Sequence, residues 1–318
     1  MFSVKKNAVM DFDGDTLSVM TEGVLVFREP ASVVRKRSES PVGIACGNDA
    51  EIAKTQLNED ELYCKPFKNG KIADDCGARL LFRYALRKIF GKNPFVTVTV
   101  VVSGGLNPVE KETVAHAVSF GGYTDVRILP RPVVLGKLLS LNALGCALYM
   151  DSDIAEAVLL NADGTLTSHA INVSSTALTE LVREKLADEE KLIVTTQDAA
   201  KIVETRCSLF ADDMTQVTVR GRDAITESIK NIQFSAQKLY PLCDAIYSKI
   251  TDLMKAVLCD ADKDIAINAV KTGILCMGKG TLISGFQEYW YKHIGSAART
   301  LNDRTILLAV AETIQVEE

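Results

Sequence analysis

Apolar and polar positions alternate in short runs along residues 4 to 35. "GVLVF" and "ASVVRKR" are examples, broken by Gly23 and Pro30. A period of two predicts a meander of short strands. Residues 36 to 70 lose that period in polar runs such as "KRSES" and "NEDE". The period then lengthens. In "DDCGARLLFRYALRKIF", Leu80, Leu81, Tyr84, Ala85 and Phe90 supply much of one apolar helix face, and Arg79, Arg83 and Arg87 fall four apart on another. That arginine stripe reads as a solvated face or as a surface for anions. "FVTVTVVVSGG" is apolar on both sides, as a buried central strand is. It passes through Gly104 and Gly105 into a helix that Asn107 caps, Pro108 opens, and Gly121 and Gly122 close. Strand, glycine turn and helix together predict an α/β layer.

A second strand–turn–strand pattern begins at "GCALYMDSDIAEAVLLNADGTLTSHAINVS". Its "MDSD", residues 150 to 153, parallels "MDFD", residues 10 to 13. Each follows an apolar strand and precedes another apolar stretch and a glycine-bearing turn, which predicts an internal duplication. Residues 175 to 250 read as mostly helical, with "QVTVRGRD" as a strand among them. "AVKTGILCMGKGTLISGFQEYWYKH" repeats strand, glycine turn and helix, and "RTILLAVAETIQ" reads as a last helix.

The chemistry concentrates in "AVMDFDGDTLSVM", where Asp11, Asp13 and Asp15 alternate. As a calcium loop it has acids at positions one, three and five and Glu22 at position twelve, but Thr16 stands where the sharp turn needs glycine. As a phosphatase of the haloacid-dehalogenase kind it approaches D-x-D-G-T, with Asp15 displacing the Thr16 hydroxyl. As plain structure it is a polar turn between strands. The duplication disfavours the first two readings, because neither needs a second copy.

Composition narrows the field. The chain has 318 residues, room for two domains, and its 47% apolar and 24% charged residues describe an ordinary globular protein. A net charge of −5 argues against bulk electrostatic binding to nucleic acid. Eight scattered cysteines with no C-x-x-C pair, and three histidines, offer no zinc spacing and fit a reducing cytosol. No apolar run spans a bilayer, and "MFSVKKN" lacks the apolar segment of a signal peptide.

Four segments carry a family resemblance. "KPFKNGKIAD" (65 to 74), "SGGLNPVEKETV", "VRGRD" (219 to 223) and "GILCMGKGTLISGFQEY" lie in order across nearly the whole chain. They resemble segments of the actin-like ATPase superfamily, and most closely of MreB, the bacterial actin that directs rod shape. The resemblance implies an α/β actin-like fold: two duplicated ribonuclease-H-like domains with inserted subdomains, flanking a central cleft. On this reading domain I covers 1–145 with an insert at about 34–68, and domain II covers 146–318 with an insert at about 176–250.

The resemblance also implies ATP and Mg2+ in the cleft. Asp11, Asp15, Thr16, Asp151, Gly278, Lys279 and Gly280 match nucleotide-binding positions. Asp11 and Asp151 stand where the family's metal-side aspartates would be, and Glu110 matches its water-polarising glutamate. Glu110 also lies three residues after Asn107, where it would complete a capping box. The departures from the family are pronounced. The first hairpin is one residue shorter and gains Asp13 and Asp15; the second, "DSDIAE", is two shorter and has no glycine. Phosphate loops use glycine to let backbone N–H groups approach the anion. Asp13 and Asp153 instead add negative charge, and two unit charges about 5 Å apart repel by roughly 1 kcal/mol even in water. Lys279 replaces a glycine, where it would block the pocket or reach a phosphate.

The expectation is therefore a cytoskeletal subunit with weak or lost ATP binding. It would form filaments with itself or with another MreB-type protein, on the inner face of the cytoplasmic membrane, beside cell-shape membrane proteins. Phe2 and Phe95, each near lysines, would touch that membrane, with the arginine stripe. The alternatives are an active ATPase with unorthodox acidic loops and a non-polymerising adaptor of actin fold.

Overall fold

The computed structural model describes residues 6–38, 40, 42–92, 95–173, 175–301 and 305–314. The chain divides into two compact units, Met1–Leu141 with Asp303–Glu318, and Asn142–Asn302.

The first unit is built from β1 (Lys6–Phe12), β2 (Thr16–Thr21), β3 (Val24–Pro30), β4 (Val33–Lys36), β5 (Gly43–Cys46), α1 (Asn48–Ala53), β6 (Glu61–Cys64), β7 (Phe67–Lys68), β8 (Lys71–Ile72), α2 (Asp75–Phe90), β9 (Val96–Val102), α3 (Pro108–Ser119), β10 (Asp125–Pro130) and α4 (Arg131–Leu141). Its main sheet runs β10-β9-β1-β2-β3. β1, β2 and β3 form the antiparallel meander, and β9 and β10 add in parallel. β9 is buried except at half-buried Thr99, as its valine-rich run predicts. The polar stretch after β3 folds into a second sheet, β5-β4-β6, with α1 packed on it.

The second unit holds β11 (Cys146–Met150), β12 (Ala155–Leu160), β13 (Leu166–Ile171), α5 (Ser175–Glu190), β14 (Leu192–Ile193), α6 (Thr196–Arg206), β15 (Gln216–Asp223), β16 (Ile229–Ser235), α7 (Tyr240–Cys259), α8 (Lys263–Thr272), β17 (Ile274–Met277), α9 (Phe286–Ile294) and β18 (Ala298–Leu301). Its main sheet runs β13-β12-β11-β17-β18, with the same directions as the first: antiparallel meander, then two parallel strands. The duplication suggested by "MDFD" and "MDSD" thus extends to strand order and direction. A smaller sheet, β14-β15-β16, lies between β13 and β17 in sequence. There Gly221 lets β14 come close, because a Cβ on it would fall 2.7 Å from the Ile193 carbonyl oxygen.

Two expectations are corrected. The last helix, α10 (Thr305–Thr313), expected within residues 146–318 as part of domain II, packs on α4, β1 and β2 of the first unit. Its apolar residues Leu307, Leu308, Val310 and Ala311 are buried there. Glu312 ties it down, accepting hydrogen bonds from the Glu22 and Gly23 N–H groups at 2.7 and 2.8 Å. In the stretch read as mostly helical, the strand expected at "QVTVRGRD" is β15, and it pairs with a further strand, β16, that was not expected. The eight cysteines are free thiols; Cys46, Cys146, Cys207, Cys243 and Cys276 are buried, and burial pushes the Cys46 thiol up to about 12. Among the described residues no helix is long and apolar enough to cross a membrane.

Candidate functional site

The two acidic turns have one geometry. β1 and β2 pair down to Phe12–Leu17, and Asp13 N–H then donates to Thr16 O at 3.0 Å, leaving Gly14 and Asp15 as the turn. β11 and β12 pair down to Met150–Ala155, and Asp151 N–H donates to Ile154 O at 3.1 Å, leaving Ser152 and Asp153. In each, the leading aspartate caps its own loop. Asp13 Oδ1 accepts from the N–H groups of Asp15 and Thr16, both at 2.7 Å, and the Thr16 hydroxyl lies 3.2 Å from Oδ2. Asp151 Oδ1 accepts from the N–H groups of Asp153 and Ile154 at 2.8 and 2.9 Å. Both carboxylates are 1% exposed. A short acidic side chain bonded to backbone two and three residues on is the usual way aspartate fixes a turn. The structural partner of Asp151 is therefore Asp13; the sequence reading that matched Asp11 to Asp151 is shifted by two residues.

The acids of the first hairpin diverge. Asp11 accepts from Arg131 Nη2 at 3.1 Å, with the two side chains 3% and 2% exposed. Asp15 pairs with Lys65 Nζ at 2.9 Å. Asp13 serves its own backbone. Among the described residues no group of three or more histidines, cysteines or acids converges as metal ligands would. Arg131, the first residue of α4, is a functional neighbour that the sequence reading missed. A buried guanidinium 120 positions away leaves no local signal, and "RP" at a helix start looks ordinary.

The "KPFKNGKIAD" segment is explained by what it touches. Lys65 holds Asp15, and Phe67 sits against Phe12 and Phe82 with ring centroids 4.3 and 5.4 Å apart. Lys71 reaches Glu110 at 3.2 Å, and Asp74 pairs with Arg35 at 3.0 Å. Glu110 completes the capping box: its carboxylate accepts from the Asn107 N–H at 3.0 Å, while Asn107 Oδ1 accepts from the Glu110 N–H at 2.9 Å. The hydrogen bond from the Asn107 backbone, with Lys71 nearby, outweighs burial and lowers its pKa. A carboxylate held so is a weaker proton acceptor.

The glycine turn after β17 is a matter of packing. Gly278 has φ 97°, and a Cβ on it would lie 2.0 Å from the Met150 carbonyl oxygen. A Cβ on Gly280 would lie 2.3 Å from Met150 Cε. Lys279 opens a short 3-10 turn, Lys279–Leu282, and is half-buried. Gly280 O accepts from the Tyr247 hydroxyl at 2.5 Å, and Gly278 O from the Thr281 hydroxyl at 2.9 Å. Gly278 is thus needed to seat this turn against the β11 backbone, and Gly280 packs on the Met150 side chain.

Phe95 is 59% exposed; Phe2 lies outside the described residues. The arginine stripe is partly engaged: Arg79 pairs with Asp75 at 2.8 Å, and Arg79 and Arg83 stand 5.7 and 5.1 Å from the Phe120 ring centroid.

The resemblance implies a nucleotide and a metal at these hairpins. A phosphate cradle needs outward N–H donors and a cation needs convergent oxygens. Here the Asp15, Thr16, Asp153 and Ile154 N–H groups serve carboxylates, and Asp11 already faces a guanidinium. In this arrangement those four N–H groups and the Asp11 carboxylate are committed within the protein.

Comparison with known proteins places this geometry in a family. The MreB/Mbl protein family model matches residues 9–317. Among solved structures, MreB5 of Spiroplasma citri bound to ADP matches with a TM-score of 0.85 at 18% identity, over 97% of this chain and 95% of that one. The same protein bound to AMPPNP matches at 0.82 and 20%, over 98% and 95%. The MamK double helical filament matches at 0.79 and 13%, over 97% and 100%. The structural likenesses show the actin-like fold, and the sequence model spans all but the ends, so the chain belongs to the MreB/Mbl family.

Proposed function

We propose that this protein is an MreB-type cytoskeletal subunit that forms or joins filaments while binding ATP weakly or not at all. The observation that carries the reading is the self-capping of both hairpins by Asp13 and Asp151. To offer those N–H groups to a phosphate, the loops would have to release a buried carboxylate, and its charge would then repel the ligand. S. citri MreB5 was crystallised with ADP and with AMPPNP, so the fold itself accommodates nucleotide. The reading concerns what this chain's loops have changed. The filament half is supported by MamK, of the same fold, seen as a double helical filament.

Subunits arrayed on the cytoplasmic face of the membrane would gain from repetition, because a row converts later weak contacts into nearly intramolecular ones. Exposed Phe95, with Phe2, is the candidate membrane contact. A role in cell shape follows from that placement.

Titration calorimetry with ATP and magnesium tests the first half. The expected outcome is no heat, or a Kd on the order of 0.1 mM or weaker, under about 6 kcal/mol. Micromolar binding would transfer support to the active ATPase. High-speed sedimentation with and without nucleotide, followed by flotation on anionic liposomes, tests the second. A protein that stays soluble and monomeric in both, with and without a companion MreB, is the adaptor instead.

A further inference from the structure

The first unit carries an open groove of about 460 Å3 between β5 and α2. β5 ends its sheet, order β5-β4-β6, and among the described residues no strand pairs with its outer side. All four of its residues, Gly43 to Cys46, line the groove. An edge strand presents N–H and C=O groups ready to pair with another chain. The facing wall is α2, through Leu80, Arg83, Tyr84, Arg87 and Lys88. Leu80 and Cys46 give an apolar floor, and Ile44, 46% exposed, stands at the lip.

The charge is one-sided. Lys88 is taken by Glu29 at 2.6 Å. Among the described residues no carboxylate forms an ion pair with Arg83 or Arg87, which lie one helical turn apart, and Asp49 is the acid lining the groove. A folded protein commonly blunts an edge strand with charge or covers it with a helix. Here α2 stands alongside but leaves a gap that Arg83 and Arg87 help to line, with the Arg83 guanidinium also against the Phe120 ring.

We propose that this groove receives an extended acidic segment of a partner protein, added as a strand to β5, with its carboxylates on Arg83 and Arg87. Strand addition draws affinity from main-chain hydrogen bonds and specificity from alternate side chains. The edge is four residues long, about 13 Å, and the floor takes one apolar side chain while the arginines select acid. Guanidinium forks match carboxylates bidentately, so arginine here reads as recognition. None of these residues belongs to the acidic hairpins, so the proposal stands apart from the question of nucleotide.

The test uses the full chain and a fluorescein-labelled hexapeptide, Thr-Glu-Val-Glu-Val-Thr, read by anisotropy and by hydrogen exchange. Binding is expected, with slowed exchange of the amides in Gly43–Cys46. Affinity should fall at least tenfold for the R83Q/R87Q variant, for a peptide with lysine in place of glutamate, and for one with proline at the central valine. A thermal melt of R83Q/R87Q separates lost recognition from lost folding, and R87E alone repeats the test with one position changed. Absence of binding overturns the proposal. So does binding without protection of β5, or equal binding of the proline peptide. Displacement by millimolar inorganic phosphate, or capture by phosphatidylglycerol vesicles with loss of peptide binding, would make the groove a general anion site and overturn it equally.

Discussion

The two acidic hairpins close the same kind of turn in different neighbourhoods. In the first unit the neighbourhood is electrostatic: Asp11 leans on Arg131 and Asp15 on Lys65. In the second, close packing is prominent: a Cβ on Gly278 would meet the Met150 backbone and one on Gly280 the Met150 side chain. What the halves share is the leading aspartate, bonded to its own loop. The duplicated fold therefore requires the turn, and each copy secures it with whatever chemistry its surroundings supply. In both copies the N–H groups two and three residues after the leading aspartate are spent on its carboxylate.

The largest effect should come from breaking the electrostatic half. Arg131→Met leaves the Asp11 carboxylate buried without its cation, at a cost of about 3–5 kcal/mol. Urea unfolding followed by hydrogen exchange should show the loss concentrated in β1, β9 and α4. The double change D11N/R131M should recover most of it, since removing both charges spares the penalty of a lone one. If the single and double variants are equally unstable, Arg131 acts through packing and the electrostatic account fails.

Next is the steric half. Gly278→Ala should cost roughly 2–3 kcal/mol, from overpacking and a positive φ. Its clash is with the Met150 carbonyl, so Met150→Ala should not relieve it. Gly280→Ala clashes with the Met150 side chain, and Met150→Ala should relieve that one. Thermal melts of the two double variants separate the cases. Equal rescue would mean that β11 moves away as a whole.

Much of this was legible in the sequence, and what was not shares a physical cause. Local patterns gave α2, the buried valine strand β9, the Asn107 cap and both acidic turns, because each is decided within a few residues. The cap even predicted the hydrogen bonds of Glu110. Missing were Arg131, the return of α10 to the first unit and the pairing of β16, all set by partners far away in sequence. The register between the hairpins was missed too. Identity favoured Asp11 against Asp151, while backbone hydrogen bonding pairs Asp13 with it, and a shift of two keeps every side chain on the same face. Alternation cannot detect such a shift.

A smaller effect sharpens the comparison of the leading aspartates. Asp13→Asn keeps an oxygen acceptor for the Asp15 and Thr16 N–H groups but removes the charge. Stability should fall by about 1 kcal/mol. Affinity for ATP should rise about fivefold, from roughly 1 kcal/mol of relieved repulsion. Asp151→Asn should act alike, and the two together nearly additively. Calorimetry that finds no gain in either variant would mean that the charge of these carboxylates is not what disfavours nucleotide.

The smallest effect is acid sensitivity, and it should differ between the units. In the first unit burial would raise the pKa of Asp74, but hydrogen bonds from Cys64 and Arg35 and from the Gly77 backbone outweigh it, so the net shift is downward. Glu51 is similar: burial raises it, and Lys54 and Tyr63 more than compensate. In the second unit the lowered acids include Asp163, held by Thr165 in a turn, and Glu189, held by Lys185 on an exposed helix face. A carboxylate whose folded pKa lies below its unfolded value adds stability above the unfolded value, about 4, and loses it as pH falls through the folded one. All four shifts therefore favour the folded chain at neutral pH and fade below about pH 4. The partly buried pairs of the first unit are screened less by water than the surface ones. Hydrogen exchange between pH 6 and pH 3.5, corrected for intrinsic rates, should loosen β4, β6 and the start of α2 before β12 and α5. Arg35→Gln should remove most of that difference by returning Asp74 toward its ordinary range. Parallel loosening of both units, unchanged by Arg35→Gln, would place the acid response in general charge repulsion instead of in these pairs.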